Sequence, residues 1–366
     1  MLSQKHKKIL VAPLDWGLGH TSRCVPIIRH LVASGHKVVF AGNEWQIDFI
    51  YKSFPGIGYA FLEGYNVSYS HSNRGFISSI AMQVPHILNT IRKEHHWLLD
   101  LCKRHHFDGI ISDNRYGLHH PAVPATILTH QLRVQTGAGN MGDSFFAMLH
   151  YKMLQRFSHC WVVDVAGHPN LSGELAHPRT IPHNAAYIGL LSQFEQSPAA
   201  SYGRHLLILL SGPEPQRSIL SALLWQQLQH YNGTVVFVEG SNSITPQAQV
   251  PAHIQYHQQL TNAELQPLIE NASMVICRSG YSTIMDLVAL GKKAILVPTP
   301  GQTEQEYLAR HLHNANIFYS IAQKDIDIHA ALQNAAAFTF NELPLHDAFD
   351  EYKKVIDDWL LSLPHS

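Results

Sequence analysis

One segment, Cys277–His311, constrains the fold more than any other part of the chain. An apolar run, MVIC, ends at its first residue, and a second apolar run, KAILVP, lies within it. Short apolar runs of this kind are typical of buried strands. Gly280 and Thr283 mark the start of a helix between the two strands, and Gly291 marks its end. This alternation of strand and helix predicts an α/β fold with a parallel sheet.

A glycine turn leads into the predicted helix and provides an anion site. Backbone N–H groups at a helix start, together with the positive end of the helix dipole, suit a phosphate or diphosphate. Ser279 and Gly280 lie in that turn. Asp286 follows Ser279 by about two helical turns, within reach of a ribose hydroxyl. The segment therefore predicts a diphosphate site with a carboxylate beside it.

The next turn, PTPGQTEQ, carries polar side chains at the start of another helix. Gln302, Glu304 and Gln305 lie there and are suited to binding sugar hydroxyls. Taken singly, each polar residue of the segment has a simpler interpretation as a helix cap, a turn former or a solvated side chain. Their occurrence together within one short segment favours a binding site.

The segment resembles the donor-binding half of GT-B glycosyltransferases, and most closely the family 28-like N-acetylglucosaminyltransferases of peptidoglycan lipid II synthesis. The resemblance implies that the R-S-G turn holds a nucleotide diphosphate, that a helical acidic residue holds the ribose, and that a later pair contacts the donor sugar. The residues it implies are Arg278, Ser279, Gly280, Thr283, Asp286, Glu304 and Gln305. It also implies an α/β, GT-B fold with two Rossmann-like doubly wound domains facing across a cleft, and a UDP-sugar donor.

The chain has 366 residues, which is enough for two domains. Ser192–Arg204 is polar and contains Pro, Gly and Ser, so it is the best linker candidate. We predict a Rossmann-like acceptor domain over residues 1–191 and a Rossmann-like nucleotide-sugar donor domain over residues 205–342. Residues 343–366 are predicted to form a helix that packs back on the N-terminal domain.

A glycine-rich turn, DWGLGH, follows the first predicted strand, Lys7–Pro13. A helix is predicted after it, over residues 21–34. Ligands of open α/β sheets bind at the carboxyl ends of the strands, so we expect this turn to contact a substrate. Gly17 and Gly19 allow the backbone to approach that substrate closely.

His20 and Asp113 are the candidate catalytic residues. His20 can accept a proton from an acceptor hydroxyl or stabilise an oxyanion, and the alternative is a capping or buried histidine. Arg23 lies one helical turn further on, where it can meet a phosphate or a carboxylate. Asp113 ends another predicted strand and is a candidate base or acceptor-binding carboxylate, with a turn or helix cap as the open alternative.

A third polar turn, SGPEPQR, follows the first strand of the second half. Ser211 and Gly212 are predicted to border the diphosphate, with Arg217 nearby. The prolines of this turn depart from the more glycine-rich loop of the lipid II enzymes. That departure weakens the predicted phosphate role.

These residues predict transfer of a hexose or N-acetylhexosamine from a UDP-sugar to an acceptor whose identity stays open, with a lipid-linked acceptor among the possibilities. GLGHTSRC, however, also resembles the GxGHxxRC loop of a nucleotide-sugar hydrolase of the pseudaminic acid pathway, which has the same fold and transfers the sugar to water. The alternatives are therefore that hydrolase, a 2-epimerase of the same fold, or a non-catalytic sugar-nucleotide binder.

We expect no metal and no other cofactor. Paired aspartates are absent from the predicted strand ends, so leaving-group charge would be met by the helix dipole and Arg278. The 27 histidines and four scattered cysteines lack the spacings of common metal sites. A formal net charge of −1 argues against a nucleic-acid partner.

Two segments mix apolar and basic residues, as segments at a membrane surface do. They are Gly75–His106 and Phe145–Phe157, and ordinary domain helices are the alternative interpretation. No apolar run is long enough to span a bilayer. We expect a cytoplasmic protein with peripheral contact with the inner face of the membrane, and the resemblance implies a role in cell envelope biosynthesis.

Overall fold

The computed structural model describes residues 6–65, 76–133, 139–195, 203–240 and 250–364. Side chains of residues 76–83 and 139–146 are outside this description. The middle of the predicted linker, residues 196–202, is also outside it, as are the first residue of the segment Gly75–His106 and the first two side chains of Phe145–Phe157.

The chain forms two compact units. Most of the chain up to Ser192, together with the segment from Asp347 onwards, forms the first unit, and Gln193–His346 forms the second. Each unit is built around one sheet of parallel strands.

The first unit contains a seven-stranded sheet in the order β3-β2-β1-β4-β5-β6-β7. Its strands are β1 (Lys8–Pro13), β2 (Lys37–Gly42), β3 (Gly58–Phe61), β4 (Gly109–Asp113), β5 (Ala125–Thr129), β6 (His159–Val162) and β7 (Ala185–Tyr187). The helices before the second unit are α1 (Leu18–Ala33), α2 (Glu44–Tyr51), α3 (Phe76–Arg104) and α4 (Gly139–Leu154).

The second unit contains a six-stranded sheet in the order β10-β9-β8-β11-β12-β13. Its strands are β8 (His205–Leu209), β9 (Val235–Val238), β10 (Ile254–His257), β11 (Ala272–Cys277), β12 (Ala294–Leu296) and β13 (Tyr319–Ser320). Its helices are α5 (Gln216–Leu228), α6 (Asn262–Glu270), α7 (Tyr281–Ala289), α8 (Thr303–Asn314) and α9 (Ile328–Ala337). Parallel strands joined by helices in both units confirm the prediction of two Rossmann-like α/β domains.

Strand register brings the carboxyl ends of neighbouring strands level. In the first unit Pro13 of β1 lies beside Asp113 of β4, and Asp113 lies beside Leu128 of β5. In the second unit Cys277 of β11 lies between Leu209 and Leu296. Residues that follow these strands are therefore placed at one edge of each sheet.

The last helix, α10 (Glu351–Ser362), packs within the first unit. Its Trp359 makes an edge-on contact with Trp161 of β6, with ring centroids 5.4 Å apart. A Cβ added at Gly109 would lie 2.6 Å from the Trp359 ring, so the backbone of β4 needs glycine where this helix approaches it.

Helix α1 begins at Leu18, three residues before the predicted start at Thr21. Gly17 is its N-cap with φ of 87°, a conformation that glycine adopts without strain. His20 consequently lies in the first turn of a helix, and the prediction that it lies in the glycine-rich turn before the helix is wrong. This position fixes the imidazole more tightly than a loop would.

Among the helices that the structure describes, none combines the length and apolar character needed to cross a membrane.

Buried histidines make the protein sensitive to acid. Burial lowers the pKa of His150, which is 8% exposed, and that of half-buried His119, each to about 4. The unfolded chain therefore binds these protons first, at about pH 6.5. We expect the free energy of unfolding to fall between about pH 6.5 and about pH 4, with His150 alone contributing up to about 1.4 kcal/mol per pH unit.

Urea denaturation midpoints across this pH range measure the effect. His150→Gln cannot take up the proton, so its stability should depend less steeply on pH than that of the wild type. A midpoint that stays constant or rises as the pH falls would contradict the expectation.

Candidate active site

A polar cluster lies at the carboxyl ends of β1, β4 and β5 in the first unit. Asp113 is the last residue of β4, His130 directly follows β5, and α1 supplies His20 and Arg23. Because these three strands are adjacent in the sheet, the four side chains meet at one edge.

The centre of this cluster is a buried ion pair between Arg23 and Asp113. Arg23 Nε donates to Asp113 Oδ2 at 2.7 Å, and Arg23 Nη2 donates to Asp113 Oδ1. Arg23 is 2% exposed and Asp113 is fully buried. Burial raises the pKa of Asp113, but Arg23 and His20 outweigh it and bring the pKa to about 2. Asp113 is therefore a carboxylate at neutral pH.

His20 lies against this ion pair. Its Nδ1 is 3.2 Å from Asp113 Oδ2 and 2.9 Å from Arg23 Nη2, while 16% of its side chain stays exposed. Burial lowers the pKa of His20 below 6.5, and the Asp113 carboxylate, which raises it, offsets this only in part. His20 is therefore neutral at pH 7 and able to accept a proton.

A fourth contact holds the arginine in place. Arg23 Nη1 lies 2.8 Å from His130 Nδ1, and His130 is 6% exposed. Since the guanidinium can only donate, His130 accepts through Nδ1 and carries its proton on Nε2. This contact holds Nη1 of the Arg23 guanidinium, while Nη2 lies beside His20.

A second buried ion pair supports the strand ends below the cluster. Arg115 donates to Glu94 Oε1 of α3 at 2.7 Å and to the Pro13 carbonyl of β1 at 2.7 Å. Tyr65 donates its hydroxyl to the other oxygen of Glu94 at 2.7 Å. The loop after β4 is thereby tied to the end of β1 and to α3.

This geometry favours positioning roles for Asp113 and Arg23. Asp113 had been predicted to act as a base or to bind the acceptor, and Arg23 to meet a phosphate or a carboxylate. The carboxylate of Asp113 is enclosed by Arg23 and His20, and the guanidinium of Arg23 is engaged by Asp113 and His130. His20 is the member of the cluster with an exposed side-chain surface that can meet an acceptor.

In the second unit, α7 begins at the Gly280 N-cap, directly after the β11 turn. Glycine has no side chain to cap the helix. A Cβ built at Gly280 meets no heavy atom within 4 Å among the residues described, although φ of −73° would suit any residue. The helix start can therefore be approached closely by a ligand, and its dipole favours an anion.

Arg278 joins three loops around this helix start. It donates to the carbonyl oxygens of Val297 and Pro298, each at 3.2 Å, and of Gln216 at 2.6 Å. Burial lowers its pKa to about 10, so it is still charged at neutral pH. With 1% exposure, Arg278 is placed to act through its charge and through the loops, which differs from the predicted direct contact with substrate.

Ser279 and Gln305 also connect these loops. Ser279 Oγ donates to the Gln305 carbonyl at 2.8 Å, and Gln305 Oε1 accepts from the Thr299 backbone N–H at 2.9 Å. The R-S-G turn and the start of α8 are therefore one hydrogen-bonded structure. Three other predicted residues are half-buried: Thr283 and Glu304 lie in the first turns of α7 and α8, and Gln302 is the N-cap residue of α8.

The loop after β8 is arranged differently from the α7 turn. Gly212 has φ of 101°, and Ser211 beside it is half-buried. Glu214 accepts from the backbone N–H and hydroxyl of Ser218 and pairs with Arg217, which also donates to the Gly240 carbonyl. An anionic side chain already caps α5, so a phosphate would meet repulsion there and is favoured at α7 instead.

Asp286 is held by Gln193. Its Oδ1 accepts from the Gln193 backbone N–H at 3.2 Å, and its Oδ2 accepts from Gln193 Nε2 at 2.8 Å. Asp286 is 7% exposed and lies in the second turn of α7. The predicted ribose-binding carboxylate is therefore already hydrogen-bonded on both oxygens.

Within the described part of the chain, no group of three or more His, Cys, Asp or Glu side chains is placed to hold a metal ion.

The sequence analysis did not identify His130, Gln193 or Glu214. His130 directly follows β5 in the structure, so the signal that could have found it is the rule applied to Asp113, that polar residues at the carboxyl end of a buried strand lie near the ligand. Gln193 lies in a segment interpreted only as a linker, and nothing in its neighbourhood indicates a carboxylate partner 93 positions away.

Most of the second unit matches a known family of protein domains. Residues 216–348 match the glycosyltransferase family 28 C-terminal domain. A UDP-N-acetylglucosamine–N-acetylmuramyl-(pentapeptide) pyrophosphoryl-undecaprenol N-acetylglucosamine transferase of Caldanaerobacter subterraneus is 38% identical over 66 residues. That alignment spans 18% of each chain, so this chain matches about a fifth of the length of such relatives.

Longer but weaker matches cover both units. An uncharacterized glycosyltransferase of Methanosarcina acetivorans is 24% identical over 334 residues, spanning 84% of this chain and 82% of that protein. The crystal structure of the glycotransferase of kitacinnamycin superposes with a TM-score of 0.68 at 14% identity, covering 98% of this chain and 100% of that one. These findings confirm the predicted GT-B fold and the resemblance to the lipid II N-acetylglucosaminyltransferase family.

Proposed function

We propose that this protein is a glycosyltransferase that moves a hexose or N-acetylhexosamine from a UDP-sugar to an acceptor hydroxyl. The observation that carries the proposal is the glycine-capped start of α7, with Asp286 two turns into the helix. It lies inside the residues that match the family 28 C-terminal domain. Two relatives that are 38% and 42% identical over 66 and 76 residues are named as UDP-N-acetylglucosamine transferases, which supports a UDP-sugar donor.

The donor diphosphate binds at the start of α7 in this proposal. The helix dipole and the buried charge of Arg278 together stabilise the negative charge that develops on the leaving UDP. Asp286 binds the ribose, and the half-buried Glu304 contacts the donor sugar. Because fixed positive groups supply this stabilisation, we propose a mechanism that does not depend on a metal ion.

The acceptor is activated in the first unit. His20 takes the proton of the acceptor hydroxyl while the hydroxyl oxygen attacks the anomeric carbon of the sugar. The bond between that carbon and the β-phosphate oxygen breaks, and its electron pair leaves with UDP. The nearby Asp113 carboxylate stabilises the positive charge of the resulting imidazolium, while Arg23, itself in contact with His130, holds Asp113 in place.

We further propose that the acceptor is lipid-linked. Leu14, which follows β1 at the sheet edge of the His20 cluster, belongs to an apolar cluster with Tyr65 and Ile91; the partly buried side chains packed on it are Trp16, Ile87, Tyr116 and Met153. Helix α3 also exposes Val84 and Leu88 near the basic side chains Arg92 and Lys93. The exposed apolar side chains of α3, beside its basic ones, suit an acceptor with an apolar part and peripheral contact with an anionic membrane.

Nucleotide-sugar hydrolysis is a second candidate, favoured by one observation. The GLGHTSRC loop places His20 against Asp113, and the same pair can deprotonate water in place of a sugar or lipid hydroxyl. Product analysis separates the two reactions.

A thermal unfolding experiment tests the donor site. At a concentration about 100 times its Kd, UDP should stabilise the wild-type protein by about 2.7 kcal/mol, with or without EDTA. Asp286→Ala removes a carboxylate able to bind both ribose hydroxyls, so we expect UDP to bind at least about tenfold more weakly. Asp325→Ala, an exposed aspartate of the same unit, is the matched control and should respond to UDP as the wild type does.

An undiminished UDP response in Asp286→Ala would remove that residue from the donor site. A response abolished by EDTA and restored by Mg²⁺ would refute the metal-independent proposal.

A further inference from the structure

Gln193 contacts Asp286 of the proposed sugar-donor site, although the sequence around Gln193 does not indicate this contact. It begins the stretch Gln193–His346 of the second unit, and it binds the Asp286 carboxylate with two different donors. The backbone N–H reaches one oxygen and the side-chain amide reaches the other. Both neighbours, Ser192 and Phe194, are buried, at 6% and 5% exposure, which holds the backbone donor in place.

These contacts lower the binding free energy that a ribose hydroxyl can contribute at this site. Sites that reject a ligand lacking one hydroxyl do so because a buried polar group is left without a partner. Asp286 is 7% exposed, and both of its oxygens already accept hydrogen bonds within the protein. Loss of one ribose hydroxyl therefore costs only the net contribution of one added hydrogen bond.

We infer that Gln193 sets the sugar selectivity of the nucleotide site, and that by satisfying Asp286 it makes the site tolerant of 2′-deoxyribose. This inference rests on the proposed function, because it takes Asp286 as the ribose contact. It broadens the donor class from ribonucleoside diphosphates to ribo- and deoxyribonucleoside diphosphates of the same base. Gln193 acts through Asp286 and is a positioning residue for it.

Calorimetric titration of the full-length protein with UDP and with 2′-deoxy-UDP tests the inference without any turnover. For the wild type, the dissociation constant of 2′-deoxy-UDP should be less than about tenfold that of UDP, since about tenfold is the net contribution of one hydrogen bond. Gln193→Ala removes a charge-assisted hydrogen-bond donor from Asp286, so the 2′-hydroxyl should contribute more binding free energy. The ratio of the dissociation constant of 2′-deoxy-UDP to that of UDP should therefore rise at least about threefold. Gln333→Ala, an exposed glutamine of the same unit, is the matched control and should keep the wild-type ratio.

Two results would overturn the inference while leaving the donor site intact. One is a wild-type ratio of about tenfold or more, which would mean that the 2′-hydroxyl meets a group lacking a partner. The other is an unchanged ratio in folded Gln193→Ala. Absence of binding by either nucleotide to folded wild-type protein has a different meaning, because it would refute the proposed donor site and this inference with it.

Discussion

His20→Ala should lower the rate of sugar transfer by about 100- to 10,000-fold, the usual cost of removing a positioned general base. The affinity for UDP should stay at the wild-type value, because Asp286 and the α7 turn belong to the second unit and His20 to the first. UDP release at saturating donor, together with calorimetric titration of UDP, measures the two effects separately. His96→Ala, an exposed histidine on α3, is the control and should transfer sugar normally.

The pH dependence of the transfer rate tests the role of His20 independently. The pKa of His20 lies below 6.5, so the base is deprotonated and active at neutral pH. Transfer should weaken as the pH falls through that lowered pKa, and His20→Ala should lose this acid limb. Transfer at the wild-type rate by the variant would remove His20 from the mechanism.

Asp113→Asn should destabilise the protein by about 3–5 kcal/mol, because it leaves a buried guanidinium without its carboxylate. Arg23 is 2% exposed and donates to both oxygens of Asp113, so solvent cannot replace the lost charge. The substitution keeps the size of the side chain, and the loss is therefore electrostatic. Urea denaturation at neutral pH measures the free energy of unfolding of the variant and the wild type.

The same change at an exposed ion pair is the control for Asp113. Asp100 pairs with Lys103 on the surface of α3, with side chains 64% and 75% exposed. Surface pairs contribute little to stability, so Asp100→Asn should unfold as the wild type does. If Asp113→Asn were equally stable, the Arg23–Asp113 pair would not organise the strand ends as described.

Local patterns were sufficient to predict an α/β fold with parallel sheets. Apolar runs at residues 7–13, 205–211 and 274–277 are buried strands in the structure, and the glycine turns after them lead into helices. Such patterns act over a few residues, and the resemblance of the Cys277–His311 segment then indicated the two-domain architecture. The exact start of α1 was harder to predict, because it depends on the positive φ of Gly17 and not on residue periodicity.

Side-chain partners could not be predicted in the same way, because they join residues far apart in the chain. Arg23 bonds Asp113 and His130 at separations of 90 and 107 positions, so of the phosphate or carboxylate predicted for it the structure shows a carboxylate of the protein itself. Arg278 is occupied by carbonyl groups that become neighbours only when β11, β12 and α5 assemble. The residue types of the site could be read from the sequence, but whether each one faces a ligand or another side chain could not.

The identity of the sugar-bearing product tests the central proposal most directly. The protein is incubated with UDP-GlcNAc, UDP-Gal or UDP-Glc, with and without lipid-linked acceptors, and the released UDP and the products are analysed by mass spectrometry. The proposal predicts UDP release that requires an acceptor, persists in EDTA and leaves the sugar covalently attached to that acceptor. Acceptor-independent UDP release with free sugar would identify a hydrolase, and no UDP release under any condition would contradict an enzymatic role.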